Sequence, residues 1–505
     1  MKYLRITLLL LASLAICCKP AEDPSEGGND KPDPVTPTPD PDHNPEPEPA
    51  VKLLCIDAPL VLQLDAEPVL GSSGAIVVYT SEDKEVDRID LADLAGVTVR
   101  PDGAMVPSEQ ITAATKFTTT MDALQSGSRY RVVHYTPLRI KDKSLEIKLH
   151  NSVLDWGGSY YVTFDAGVIK DHHGIAKDEW TFTVKDKPGS NTLKVSPDGK
   201  GDFCTVQGAL SYASTLSKDA EVTVEVGAGT YNEMLFLRDK NNVTIKGASR
   251  EGTVISYPNN ESWCQGSGGS RNAKPALGAA ISNAGGRGLM LVENCDALTI
   301  SDLTIENSFG ALKGQAETIY FNSGSNAHKL IIENCNLLSY QDTFLCKGVV
   351  WVHKSLIAGH CDFIWGYPSA CLFEDCEIRA RAAGYIVQAR IPEASDKGFV
   401  FLNCSLTAES GVKDGSMYLA RSGGDSKVFD NVTYINCSMS GVIASGGWYA
   451  SPLPNPSSPT AVSGWKEYGS TDAAGKPLSG HSARGRYLSA DEAAAFSSRQ
   501  AVLGF

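Results

Sequence analysis

The chain has 505 residues, more than one domain usually needs, so two or more folded units are expected. Hydrophobic residues make up 42% and charged residues 21%, which is ordinary for a globular protein. The formal net charge of −14 excludes nucleic acid as the expected partner, and an acidic substrate would need a locally neutral or basic groove.

The N-terminus reads "MKYLRITLLLLASLAICCKP". Lys2 and Arg5 precede an apolar core, Ile6–Ile16, that is too short to span a membrane, so residues 1–18 are expected to be an export signal. "LAICC" resembles a bacterial lipoprotein box without the usual small residue before the lipidated cysteine. Cys17 and Cys18 are both open as the acylation site, and an ordinary secretory signal is the alternative. Lipidation would place the protein on the bacterial outer membrane, facing the periplasm or the exterior; otherwise it is secreted. Residues 19–50 are acidic and Pro-rich with almost nothing apolar, so they are expected to be an extended tether.

Residues 51–187 contain short strands such as "APLVLQLDAE", "GAIVVYTS", "SYYVTFDAGVIKD" and "EWTFTVKD", with no convincing helix. This predicts a small β-sandwich and resembles the Ig-like modules of exported glycan-active proteins. The segment carries no catalytic constellation. A spacer role is expected ahead of a carbohydrate-binding one.

Residues 192–505 open with one amphipathic helix, "CTVQGALSYASTLS", whose apolar face is Val206, Ala209, Leu210, Ala213 and Leu216, with Thr205 as N-cap. Strand after strand follows. An apolar-x-apolar-x-(Asn/Asp)-Cys phrase recurs with Cys295, Cys335, Cys376, Cys404 and Cys437, spaced 40, 41, 28 and 33 residues. Repeats that cannot each close a core must stack, which predicts an all-β parallel β-helix whose cysteines are small apolar fillers. "LSADEAAAF" predicts a short helix with Ser489 as N-cap and Glu492 completing a capping box, on a tail that covers the end of the β-helix.

In such a stack, residues one coil apart become neighbours about 4.8 Å apart. Asp342 in "SYQDTFL" and Asp362 in "GHCDFIWG" are 20 residues apart and would stand side by side. Two carboxylates this close titrate apart, one holding a proton, which suits a nucleophile beside an acid/base. Two unrelated solvated aspartates are the plain alternative. Strand alternation would send Asp362 outward with His360 and turn Cys361 into the coil.

The ordered motifs "GDFCTVQGAL", "GTYNE", "GQAETIYF", "QDTF", "CDFIWG", "YLARS" and "GW" over about 310 residues resemble pectin methylesterases, carbohydrate esterases of right-handed parallel β-helix fold. The resemblance implies Asp362 as nucleophile, Asp342 as general acid and then base, Gln341 and Gln315 as oxyanion donors, and Arg421 as the orienting partner of Asp362. It implies neither metal nor cofactor. The implied substrate is methyl-esterified pectin, taken to galacturonate and methanol; a monomer is expected. The chain departs from the family pattern at "LARSG", where Gly423 replaces a common tryptophan, at Leu345 and at Cys361. Trp365, Tyr367, Arg390 and Trp448 are expected to supply substrate binding instead. Arg379 and Arg381 are read as ion-paired with surface acids. The competing functions are a polysaccharide lyase or hydrolase on the same fold and a glycan-binding protein with impaired catalysis. A lyase would want a calcium-binding acidic cluster and an Arg or Lys base, and neither is evident.

Overall fold

Alternation of apolar and polar residues builds the N-terminal part. The computed structural model describes residues 52–71, 73–91, 121–261, 264–274, 285–309 and 314–505; the signal segment with Cys17 and Cys18, and the acidic linker, lie outside them. Leu60–Gln63, Ser144–Ile147 and Leu138–Lys141 form one sheet, and Leu53–Leu54, Thr181–Val184, Ser159–Phe164, Ala75–Thr80 and Glu85–Asp90 another. Ile76, Val78, Val162 and Phe182 of the larger sheet meet Leu60, Leu138, Leu145 and Ile147 of the smaller in one buried core. The expected sandwich is therefore present among the described residues.

One hairpin of this region, Met121–Ser126 with Arg129–His134, belongs to neither sheet. Its Leu124 and Val133 join the core of the C-terminal unit instead. Ser126 exchanges hydrogen bonds with Arg238, its hydroxyl donating to the carbonyl at 3.0 Å and accepting from the amide at 2.8 Å. Residues 51–187 are thus not a free-standing spacer: part of them completes the neighbouring core.

The helix Val206–Ala213 begins where predicted, with Thr205 accepting from the Gly208 amide at 2.9 Å. Its Val206, Ala209, Leu210 and Ala213 are buried, and Leu216 packs at the edge. Beyond it the strands run parallel in coils. Val222 pairs with Val243, Lys329 with Val349, and Val349 with Ala370, so like positions stack. Each coil supplies three strands, as the pairings of Val222–Val226, Gly229–Tyr231 and Leu235–Arg238 with later strands show. Aromatic residues form an internal ladder: Phe373 on Phe401 at 4.8 Å and Phe401 on Tyr434 at 4.4 Å.

The Asn/Asp-Cys phrase has a backbone cause. Asn294, Asn334, Asp375, Asn403 and Asn436 all lie in the left-handed region, with φ between 51° and 54°, which short polar side chains tolerate best after glycine. Each turns the chain so that the following cysteine enters the core as a free thiol. The Sγ then donates back two residues, for example Cys335 to the Glu333 carbonyl at 3.2 Å.

The capping box at Ser489 and Glu492 forms as predicted. The tail does not close the end of the coil, however. Leu488, Ala493, Phe496 and Val502 cover Ala370, Leu372, Val400 and Leu402, the outward-facing residues of strands whose Phe373, Phe399 and Phe401 point inward.

Candidate active site

Three adjacent coils are bridged in parallel at Gln315, Gln341 and Cys361. Asp342 and Asp362 follow the last two bridges and so face each other across one strand spacing, about 4.8 Å between backbones. Asp342 has φ 64° and Asp362 φ 46°, left-handed conformations, and the pairing register of the strand that carries Asp362 shifts beside it. Both side chains are buried from solvent.

Their surroundings differ. Arg421 grips Asp362 bidentately, Nε donating to Oδ1 at 2.7 Å and Nη2 to Oδ2. Gln388 Nε2 donates to the same Oδ2 at 3.0 Å. This is the fork geometry that fixes a carboxylate's position and orientation. The pairing in turn raises the Arg421 guanidinium above its usual value.

Asp342 accepts from Gln315 Nε2 at 3.0 Å and from Arg287 Nη2 at 3.1 Å, both on Oδ2. Arg287 also bonds Glu317 at 3.0 Å and Glu261 at 2.6 Å, so one guanidinium serves three carboxylates. Burial pushes Asp342 up to about 7, helped by the charge of Asp362 and opposed by Arg287. Glu317, fully buried on the Nε of the same arginine, is pushed up to about 8, chiefly by the same desolvation.

Gln341 lies between Gln315 and Cys361 in the ladder, beside both carboxylates. Trp365 sits between two arginines, with the Arg390 guanidinium 4.8 Å and that of Arg287 5.9 Å from its ring. Arg390 donates to the Tyr367 hydroxyl at 3.0 Å and to Gln388 Oε1, joining the aromatic wall to the support of Asp362. Arg379 pairs with Glu377 at 2.9 Å and Arg381 with Glu409 at 3.1 Å, whereas Arg390 has a carboxamide and a phenol as its hydrogen-bond partners. At Gly423 a Cβ would find only Gln388, at 3.8 Å, so the space beside Asp362's support stays open.

Two expectations fail here. Trp448 does not face a ligand: it is buried in the coil, stacked on Trp465 at 5.3 Å and packed against Tyr434. Strand alternation carried through an Asp with positive φ also misplaces Cys361. The pairing register shifts on both sides of it, Cys361 is only half-buried and outside the core cluster, and Phe363 and Ile364 are both buried instead. His360 is the more buried of the pair, its ring 6.1 Å from Tyr340, and burial lowers its basicity.

Arg287, Glu317 and Gln388 are absent from the sequence-based site. Gln388 was within reach, two residues before Arg390 on the same strand face. Arg287 carries no local signal in "GGRGLM", because its role depends on a coil brought alongside from Gln315 to Asp342.

A family model described as pectinesterase matches residues 192–452. Pectinesterase 31 of Arabidopsis thaliana is 31% identical over 260 residues, covering 51% of this chain and 76% of its own length. Pectinesterase A of Emericella nidulans is 28% identical over 253 residues, covering 50% of this chain and 71% of its own. Among solved structures, a pectin methylesterase from carrot shares the fold with a TM-score of 0.50 at 20% identity, over 62% of this chain and 92% of that one. With more than half of its length matched by the family model, and most of the Arabidopsis relative covered at that identity, the chain belongs to the pectinesterase family and is an enzyme that hydrolyses the methyl esters of pectin.

Proposed function

We propose that Asp362 is the nucleophile and Asp342 the proton carrier of this hydrolysis. Asp362 attacks the carbonyl carbon of a galacturonate methyl ester. The oxygen of the tetrahedral intermediate takes hydrogen bonds from the Gln341 amide and from the Gln315 N–H that is not already given to Asp342, since a carboxamide nitrogen carries two hydrogens. Collapse breaks the bond to the methoxy oxygen, and protonated Asp342 gives that oxygen its proton, releasing methanol and leaving an acyl-Asp362 anhydride. Asp342, now ionised, takes a proton from water. The hydroxide adds to the substrate carbonyl, and Asp362 leaves as a carboxylate. The balance is ester plus water to acid plus methanol.

The observation that carries this reading is the opposed environment of the two carboxylates: a bidentate arginine on Asp362 and burial that holds a proton on Asp342 up to about pH 7. Trp365, Tyr367 and Arg390 form the wall against which the sugar and its neighbouring carboxylates are bound. Methanol release from methylated pectin by the wild type, Asp362→Asn and Asp342→Asn tests the assignment. Loss in both variants without chain cleavage is expected; cleavage with an unsaturated product would favour a lyase, and undiminished release from Asp362→Asn would remove the nucleophile.

The same reading has the enzyme exported as a monomer and tethered to the outer membrane through lipid on Cys18 or Cys17, the acidic linker holding it away from the bilayer. Support is the basic–apolar–cysteine order of the first 18 residues. Labelling of the full chain with a fatty-acid analogue, lost in the double cysteine-to-serine variant, checks it.

A further inference from the structure

The hairpin that leaves the N-terminal sandwich ends its docking on the site itself. Arg131, on its second strand, is fully buried, yet no carboxylate is among its hydrogen-bond partners within the described residues. Its guanidinium instead donates to five backbone carbonyls: Gly285 at 3.0 Å, Gly286 at 3.2 Å, Gly288, Leu289 at 2.9 Å and Leu235 at 2.6 Å. Four of the five flank Arg287. The Gly285 amide donates to the Val132 carbonyl at 2.7 Å, so the hairpin backbone holds the same turn. Asn259, which bonds His134 of the hairpin at 3.3 Å, gives its amide to Gly286 and Gly288 at 3.0 and 3.3 Å. Gly285 has to be small here, because a Cβ would lie 2.3 Å from Arg131 Cγ.

A buried cation satisfied only by carbonyls is costly to desolvate, and burial pulls Arg131 down to about 10. Such an arrangement fixes a backbone path rather than neutralising a charge. The path it fixes is short and glycine-rich, and the clamp adds to the backbone bonds of Gly285 to Val132, Arg287 to Gly266 and Leu289 to Glu317 that also define it. On that path stands the arginine that touches Asp342, Glu317 and Glu261.

We propose that Arg131 is a positioning residue of the esterase: from the N-terminal region it clamps the 285–289 turn and so keeps the Arg287 guanidinium on Asp342. The inference rests on the reading of Asp342 as the proton carrier. Arg287 restrains the rise in Asp342's proton affinity that burial causes. When Arg287 drifts away, Asp342 holds its proton to higher pH, so the alkaline limb of kcat/KM moves up, while the ionised base needed for the second half of the cycle becomes scarcer near neutrality. The N-terminal region is then part of the catalytic apparatus rather than a spacer.

The test uses the full chain and compares pH profiles of methanol release for Arg287→Gln, Arg131→Met, Arg131→Lys and Gly285→Ala. The last wedges a methyl against Arg131 without deleting a buried charge, and carries the test if Arg131→Met does not fold. Val133→Ala, which loosens the same hairpin away from the turn, serves as the control for plain destabilisation. Arg287→Gln should raise the alkaline limb by about one pH unit or more. Arg131→Met and Gly285→Ala should move it in the same direction by roughly half as much, with kcat at pH 6 reduced more than KM is changed, and Arg131→Lys should restore part of the shift. Val133→Ala should lower the melting temperature and leave the limb in place. If Arg287→Gln moves the limb but neither Arg131→Met nor Gly285→Ala does, the clamp is wrong and Asp342's role stands. If Asp342→Asn keeps both its activity and its alkaline limb, the underlying reading fails instead.

Discussion

Asp342 and Asp362 are the same residue type on successive coils, both with positive φ and both buried. Asp362 has an arginine to itself, in fork geometry, with a carboxamide as third ligand. Asp342 shares its arginine with two glutamates and keeps a proton up to about pH 7. Identical side chains a strand apart are therefore given different surroundings by how many carboxylates compete for each cation. Desolvation raises Asp342, and the arginine it shares with two glutamates only partly opposes that.

The largest break in this asymmetry is Asp362→Asn, which removes the proposed nucleophile: methanol release should fall by about 10⁴-fold or more. Arg421→Met comes next. It leaves Asp362 buried beside another carboxylate with only Gln388 for support, so activity should drop about 10²- to 10³-fold. Arg421→Lys should recover little, because one ammonium cannot reproduce the fork.

A smaller effect follows from pH. In the wild type kcat/KM should be flat below the Asp342 value and decline about tenfold per unit above about pH 7, as the general acid is lost. Stability should run the same way. Asp342 and Glu317 are raised above ordinary carboxylate values, so the folded state binds more protons than the unfolded one between about pH 4 and 8. The stabilisation is complete below the unfolded values and is lost as pH rises through about 7 and about 8. Asp342→Asn should accordingly raise the melting temperature more at pH 8 than at pH 5. Smaller still is Gln388→Leu, which removes one charge-assisted hydrogen bond from Asp362; about 1.5 kcal/mol, or roughly a tenfold loss in kcat, is expected.

Much of this arrangement was legible before any coordinates. The stacking of Asp342 and Asp362 follows from a repeat near one coil length, and the five cysteines report where each coil turns. Arg421 and Gln315 came from the family resemblance and do contact the two carboxylates. Arg287 and Arg131 did not come from either source. Arg131 bonds segments 104 to 158 residues away and Arg287 carboxylates 26 to 55 residues away, from a hairpin and a glycine turn whose own sequences carry no motif. Trp448 was misplaced because an aromatic beside a Gly looks the same in sequence whether it faces a groove or stacks on Trp465.

The smallest expected effect concerns Cys361, and it separates the carboxylate pair from a thiol alternative. Placed between Gln341 and Tyr385 in the ladder and only half-buried, Cys361 stands nearer the site than alternation allowed. Proximity does not make it a nucleophile. Burial and the neighbouring carboxylate charges push its thiol up to about 12, so the thiolate is scarce at neutral pH, and Arg421, the cation that could lower it, is committed to Asp362. A buried histidine beside it loses basicity instead of gaining it. Cys361→Ala should therefore change kcat less than about twofold, and iodoacetamide at pH 7 should leave methanol release intact. Inactivation by the reagent that the alanine variant escapes, together with a large loss in that variant, would shift the chemistry from the two aspartates to the Cys361 thiol.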